Sequence, residues 1–185
     1  ASGQAGGALS EKWGLTGSCH AAMIFCNDDF IGGSIMADHC VLWYDEWQMS
    51  CCGSYFSVGS KVIWPVSKDM DYNYLPPEMR EQVGTIDFYY DSHASSFAGM
   101  FTLGGTIKKI QGVYLYFKPD PENPNCLRPE SGYLTDMENC DFWSMRTQRS
   151  KKRAKRPQAS FEAYIIQLDN IELKPFREGD QNSWT

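Results

Sequence analysis

Our fold prediction starts from residues 43–64, WYDEWQMSCCGSYFSVGSKVIW. This stretch holds three tryptophans, two tyrosines and an adjacent cysteine pair, and it ends in an alternating run typical of a half-buried strand. Phe56 and Val58 belong to one predicted strand, Gly59 to a tight turn, and Val62 to one face of the next strand. This order is typical of the first hairpin in a small β-barrel.

Strand-like segments dominate the rest of the chain. Seven of them are rich in β-branched and aromatic residues: 21–26, 40–47, 60–66, 85–90, 99–103, 106–117 and 161–168. One helix is predicted at 76–83, with prolines in its first turn and Gly84 as its stop. The spacing of Ile107 and Ile110 breaks strict alternation, and Gly112 favours a bulge that bends the strand. We therefore predict a mainly β fold, a small bent SH3-like or OB-like barrel with one short helix and an elaborated N-terminal region.

The 185 residues fit one domain. We assign 1–18 to a flexible leader, 19–176 to a single mainly β domain and 177–185 to a C-terminal tail. A Pro-rich and then basic loop is predicted within the domain at about 118–157. No apolar run approaches the roughly 18 residues of a membrane span, so no membrane association is expected.

Positive charge is concentrated in one segment, RTQRSKKRAKR at 146–156, which has seven of the seventeen basic residues and no acid. The remaining ten basic and twenty-three acidic residues give the rest of the chain a charge of about −13. The candidate polyanion-binding residues are Arg149, Lys151, Lys152, Arg153, Lys155 and Arg156. They predict a docking arm for an acidic partner protein or a weak nucleic-acid contact, and the alternative is a solvated loop.

The chain contains seven cysteines, an odd number that would leave one thiol outside a full disulfide framework. It has no Asn-x-Ser/Thr sequon. Both features favour a reducing compartment, in which most of the cysteines serve as small buried hydrophobic residues. A cytoplasmic location is therefore expected.

The pattern WQM-x-CCG-x-x-F-x-VG-x-x-V-x-W at residues 47–64 resembles the signature of a bacterial domain-of-unknown-function family, DUF6578. Tyr55 stands where that family usually has proline. Fainter similarity continues through DFYYDSHASS, GTIKKIQGVYLYF and AYIIQLDNIEL, so the resemblance covers 41–173 with gaps. It implies a bacterial, cytosolic protein and supplies no activity.

Most of residues 43–64, including Trp47 and Trp64, are assigned to the core. The polar exceptions on this aromatic wall are where a site is expected. Together with a nearby histidine they form the candidate pocket or interaction residues: Asp45, Gln48, Cys51, Cys52 and His93. Because strand neighbours face opposite ways, we expect one thiol of the pair to enter the core and the other to face a pocket or a partner.

Other combinations stay open. Zinc ligands are available at Cys19, His20, Cys26, His39, Cys40 and one of the adjacent cysteines, although their spacings match no compact zinc finger. A Cys-His hydrolase is conceivable from Cys19 or Cys52 with His39 or His93, but no residue is placed to orient the imidazole. Asp87, Asp91 and His93 share strand parity and form either a polar cluster or a strand end that leads into a Ser-rich loop.

These observations predict a non-catalytic binding or interaction domain. No cofactor is predicted apart from zinc as an open possibility, and no catalytic residue is assigned. The alternative is an enzyme, or a redox or metal protein, that uses the Cys51-Cys52 region with His39 or His93.

Overall fold

A computed structural model of the protein describes residues 34–68, 72–94, 96–140 and 159–177. These ranges form a mainly β structure with eight strands and two short helices. The strands are β1 Ile35–Asp45, β2 Phe56–Ser57, β3 Lys61–Ser67, β4 Phe88–Tyr90, β5 Phe101–Pro119, β6 Leu127–Met137, β7 Asn139–Cys140 and β8 Ser160–Pro175. The helices are α1 Glu46–Cys52 and α2 Pro77–Val83.

Six strands form one sheet in the order β3-β4-β1-β8-β5-β6, and β2 pairs with β7 in a separate two-stranded sheet. β3 also pairs with β5, so the ladders run from β3 through β4, β1, β8 and β5 and return to β3. β1 and β4 are parallel, whereas the other pairings of the large sheet are antiparallel. The mainly β prediction is confirmed, and the SH3-like or OB-like barrel type stays a prediction.

β5 is one 19-residue strand where the sequence predicted two. Its first part pairs with β3 and its second part with β6, while β8 runs along both. The ladder with β8 shifts register between Ile107 and Lys109. Because of this irregularity Ile107 and Ile110, three positions apart, are both buried in the same core cluster. The predicted break in alternation is therefore present, and a further shift falls between Val113 and Tyr114, next to Gly112.

Two groups of buried side chains hold the fold together. The larger one is rich in stacked rings: Tyr44 lies 3.9 Å from Tyr90 and 5.7 Å from Phe56 between ring centroids. The smaller one packs Met79 and Val83 of α2 against the sheet. Helix α2 ends as predicted, because Gly84 has a φ of 71° and donates its N–H to Arg80 O at 2.9 Å.

Several predictions need correction. The structure has a second helix, α1, besides the predicted one. It replaces the end of the strand predicted at 40–47. The loop predicted at 118–157 contains strands β6 and β7, which pair with β5 and β2. The leader and the predicted strand at 21–26 lie outside the described residues.

Four large hydrophobic side chains of the opening stretch are exposed, namely Trp47, Tyr55, Val58 and Ile63. Trp47 is 52% exposed because α1 turns it outward, and Val58 is 41% exposed because β2 ends at Ser57. Val62 and Trp64, by contrast, are buried on one face of β3. Neither of the helices in the described ranges is long and apolar enough to cross a membrane.

The two tryptophans give a matched test of this packing. Trp64 is 6% exposed and contacts the rings of Tyr44 and Phe56, so Trp64→Ala should lower the free energy of unfolding by about 3–5 kcal/mol. Trp47→Ala removes the same atoms from a half-exposed position and should cost much less. Chemical denaturation of both variants measures the difference, and equal losses would contradict the assigned burial.

Candidate functional site

The parallel pairing of β1 with β4 places two chain segments side by side. Leu42 pairs with Phe88 and Trp43 with Tyr89, so the carboxyl ends of both strands reach the same edge of the sheet. β1 continues there into α1, and β4 continues into the turn at 91–93. Residues about forty positions apart in the sequence therefore meet at this edge.

Helix α1 begins directly after Asp45 and carries Glu46 in its first turn. The positive end of the helix dipole stabilises a carboxylate at this position. The helix ends at Cys52, and the next residue, Gly53, donates its N–H to Met49 O at 3.1 Å. A Cβ at Gly53 would overlap the Met49 side chain and come within 2.8 Å of the Tyr44 hydroxyl. Only glycine fits this close approach, which fixes the end of the helix beside the cysteine pair.

Asp45 is an acceptor for three aromatic donors. Trp43 Nε1 donates at 2.7 Å and Trp47 Nε1 at 3.1 Å, and the Tyr89 hydroxyl also donates to this carboxylate. Burial raises the pKa of Tyr89 above its ordinary value, and the bond to Asp45 raises it further, so the phenol keeps its proton as a donor. Asp45 thus ties the end of β1 to both α1 and β4.

Gln48 is fully buried, and among the described residues it is the only buried polar side chain. Its amide nitrogen donates to Tyr89 Oη at 3.0 Å and to Tyr90 O at 2.8 Å. Its amide oxygen accepts from Ser92 N at 3.1 Å and Ser92 Oγ at 3.3 Å. Each half of the amide therefore has two partners, all on β4 or the turn that follows it.

Cys51 and Cys52 converge on one imidazole. His93 Nε2 lies 3.0 Å from Cys51 Sγ and 3.0 Å from Cys52 Sγ. All three side chains are exposed, and their ligand atoms lie within 4.8 Å of one another. The expectation of one buried thiol is wrong, because adjacent residues of a helix are about 100° apart rather than on opposite faces as in a strand.

The turn that carries His93 is held by three consecutive backbone N–H groups. Asp91 N donates to Pro65 O at 3.1 Å, Ser92 N to Gln48, and His93 N to Asp91 Oδ1 at 3.0 Å. The imidazole also lies 5.3 Å from the Trp47 ring between centroids, tilted by 30°. His93 is thus directed toward α1 by its backbone and by a ring contact.

The two adjacent thiols interact with each other. The pKa of the Cys51 thiol is raised above its ordinary value, chiefly by its hydrogen bond with the Cys52 thiol. None of the five described cysteines forms a disulfide. A bond between neighbours 51 and 52 would be strained, since Cα atoms across a trans peptide are about 3.8 Å apart and disulfides usually need about 4.4 Å or more.

The structure brings together all five candidate pocket residues, namely Asp45, Gln48, Cys51, Cys52 and His93. Asp87 does not join Asp91 and His93: it exchanges two hydrogen bonds with the backbone of Val41 and extends the pairing of β1 with β4.

His39 and Cys40, on β1, do not belong to the Cys51, Cys52 and His93 group. His39 lines a separate depression with Asp38 and Asp169. The other proposed ligands, Cys19, His20 and Cys26, lie outside the described residues, as do all six candidate polyanion-binding residues. The basic-segment contact with an acidic partner therefore stays a prediction.

Sequence reasoning missed Tyr89 and Ser92 as partners of this site and misplaced Trp47. A helical interpretation of residues 46–52 would have helped, because Gln48 and Cys52 are then four residues apart and share one face. Asp45 followed three residues later by Gln48 is also close to a capping-box pattern that opens a helix. The contacts with β4 have no local signal, since they depend on strand pairing.

Residues 38–170 match the family described as "Family of unknown function (DUF6578)", and the chain belongs to that family. The expected resemblance is thereby confirmed, and the match spans the whole candidate site. No curated protein and no solved structure matches the chain.

Asp45 offers a direct test of the network. Asp45→Ala should lower the free energy of unfolding by about 1–3 kcal/mol, because it leaves the buried indole N–H of Trp43 without its acceptor. Asp38→Ala, an exposed aspartate on the same strand, is the control and should change little. Equal stability of the two variants in denaturant titrations would show that the network contributes nothing.

Proposed function

We propose that this protein is a binding domain for a thiophilic metal ion, with Zn²⁺ as the first candidate, held by Cys51, Cys52 and His93. The observation that carries the proposal is the convergence of two sulfurs on one imidazole nitrogen at 3.0 Å each. Two thiolates and an imidazole are the donors that zinc and monovalent copper prefer in proteins. A binding role was predicted from the sequence, and Cys51, Cys52 and His93 belong to the redox or metal alternative named there.

The geometry needs only a small adjustment to hold such an ion. Zinc bonds of about 2.3 Å to sulfur and 2.0–2.1 Å to nitrogen imply S···N separations of about 3.6 Å in a tetrahedral complex. The three groups must therefore move apart by roughly 0.6 Å from the hydrogen-bonded arrangement. Exposed side chains at a helix end and on a turn allow that movement.

Three protein ligands leave a fourth position for water or another ligand. The carboxylates nearest in sequence to these groups already have hydrogen-bond donors: Glu46 accepts from the Ser50 hydroxyl, Asp45 from three aromatic side chains and Asp91 from the His93 N–H. The ion would thus be bound through sulfur and nitrogen, and hard, oxygen-preferring ions such as Mg²⁺ and Ca²⁺ are disfavoured.

A cysteine nucleophile activated by His93 is the competing function. The Cys-His distances fit such a dyad, but one observation favours the metal ion. Both sulfurs are equidistant from the same nitrogen, an arrangement that a single nucleophile does not require.

The small bent barrel is the scaffold that we propose for this site. The return of the strand pairings from β5 to β3 supports it, as do the bulges along β5, which allow a strand to bend around a closed core. Fold alone does not determine the ligand, so the metal proposal depends on the side chains.

Zinc stoichiometry and affinity test the proposal. Reduced, chelator-treated protein should take up one Zn²⁺ per chain after desalting, as measured by elemental analysis. Changing Cys51→Ser, Cys52→Ser or His93→Ala should lower the affinity by more than about a hundredfold, since loss of an outer-shell partner alone costs about 10–100-fold. Competition with a chromophoric chelator gives the affinities.

Cys126→Ser is the matched control, because Cys126 is exposed but lies outside the proposed ligand group. It should bind zinc like the unaltered protein. Failure of the reduced protein to retain zinc would contradict the proposal, as would an equal loss of affinity in the Cys126→Ser variant.

A further inference from the structure

Gln48 connects the two segments that supply the proposed ligands. It lies on α1, one turn before Cys52, and the Cys52 thiol approaches the Gln48 carbonyl at 3.5 Å. Its side-chain oxygen accepts both the N–H and the hydroxyl of Ser92, the residue directly before His93. One fully buried amide thereby joins the thiol-bearing helix to the imidazole-bearing turn.

The position of this amide is itself fixed. Its nitrogen donates to the Tyr90 carbonyl at 2.8 Å and to the Tyr89 hydroxyl at 3.0 Å, and both residues belong to β4. A buried amide whose partners are all satisfied has one favourable orientation, because rotation would leave polar groups without partners. Gln48 therefore fixes the position of the turn at 91–93 relative to α1.

We propose that Gln48 is a positioning residue of the metal site, which presets His93 against Cys51 and Cys52 before any ion binds. This inference rests on the proposed function. Gln48 touches no metal in the proposed arrangement, so its effect on affinity must pass through His93. Ser92 is the link, and its hydroxyl lies 3.4 Å from Cys52 Sγ as well.

A double-mutant cycle with Zn²⁺ as the probe tests this route. Gln48→Met keeps an unbranched side chain but removes all four hydrogen bonds, and it should lower zinc affinity about 10–100-fold, as loss of a residue that orients a ligand does. In the His93→Ala background the same change should cost less than about twofold, because the group that it positions is already absent.

Equal losses in the two backgrounds would overturn the inference, since Gln48 would then act on the helix or its thiols. Unchanged affinity in Gln48→Met would overturn it as well. Ser92→Ala is a milder variant that removes one of the two bonds to the Gln48 oxygen, and it guards against a Gln48→Met chain that does not fold. It should give a smaller loss, most of which disappears in the His93→Ala background, where only the contact of its hydroxyl with Cys52 Sγ remains to be lost. Ser50→Ala, on the exposed side of the same helix, should bind zinc normally.

A metal-free measurement separates this inference from the proposed function. The His93 ring lies 5.3 Å from the Trp47 ring, so its NMR signals should carry a ring-current shift from the indole in the absence of metal. Gln48→Met should abolish that shift and Ser50→Ala should preserve it. If zinc does not bind but the shift depends on Gln48, the positioning role holds and the metal function fails. A shift that survives Gln48→Met would overturn the positioning role whether or not zinc binds.

Discussion

The parallel pairing of β1 with β4 is the constraint on which the candidate site depends. In the large sheet it is the only parallel pairing among the described strands. Because parallel strands end at the same edge, α1 and the turn at 91–93 leave the sheet as neighbours. An antiparallel pairing would send them to opposite edges, and the sulfurs of α1 would not meet His93.

Two polar side chains convert this proximity into a defined arrangement. At the end of β1, Asp45 accepts hydrogen bonds from three aromatic side chains. Gln48 forms hydrogen bonds with the end of β4 and with the turn that follows it. Burying a polar side chain beside an aromatic core costs free energy unless its hydrogen bonds are formed. Asp45 and Gln48 form theirs only when α1 lies on the sheet in this arrangement, so they specify the position of the helix. The exposed side chains of Cys51, Cys52 and His93, the proposed ligands, are therefore supported by a hydrogen-bonded layer beneath them.

Much of this arrangement can be predicted from the sequence, and the remainder has identifiable physical causes. Alternation and turn residues are local signals, so they predict β3 and α2 closely, and the unusual spacing of Ile107 and Ile110 predicts the irregular β5. The same signals are misleading at α1, where seven residues between a strand and Gly53 are too short for helical periodicity to dominate. That error placed Trp47 in the core and separated the thiols onto opposite faces. The contact with His93 depends on a pairing between distant strands, which no local pattern encodes.

The proposed site holds one metal ion between both thiols of the adjacent pair and His93. X-ray absorption spectroscopy at the zinc edge, on protein loaded with one equivalent of Zn²⁺, measures the ligand set directly. We expect two sulfur neighbours at about 2.3 Å and nitrogen at about 2.0–2.1 Å, with the nitrogen of the imidazole lost in His93→Ala. A spectrum with only oxygen and nitrogen neighbours, or with a single sulfur, would contradict this ligand set.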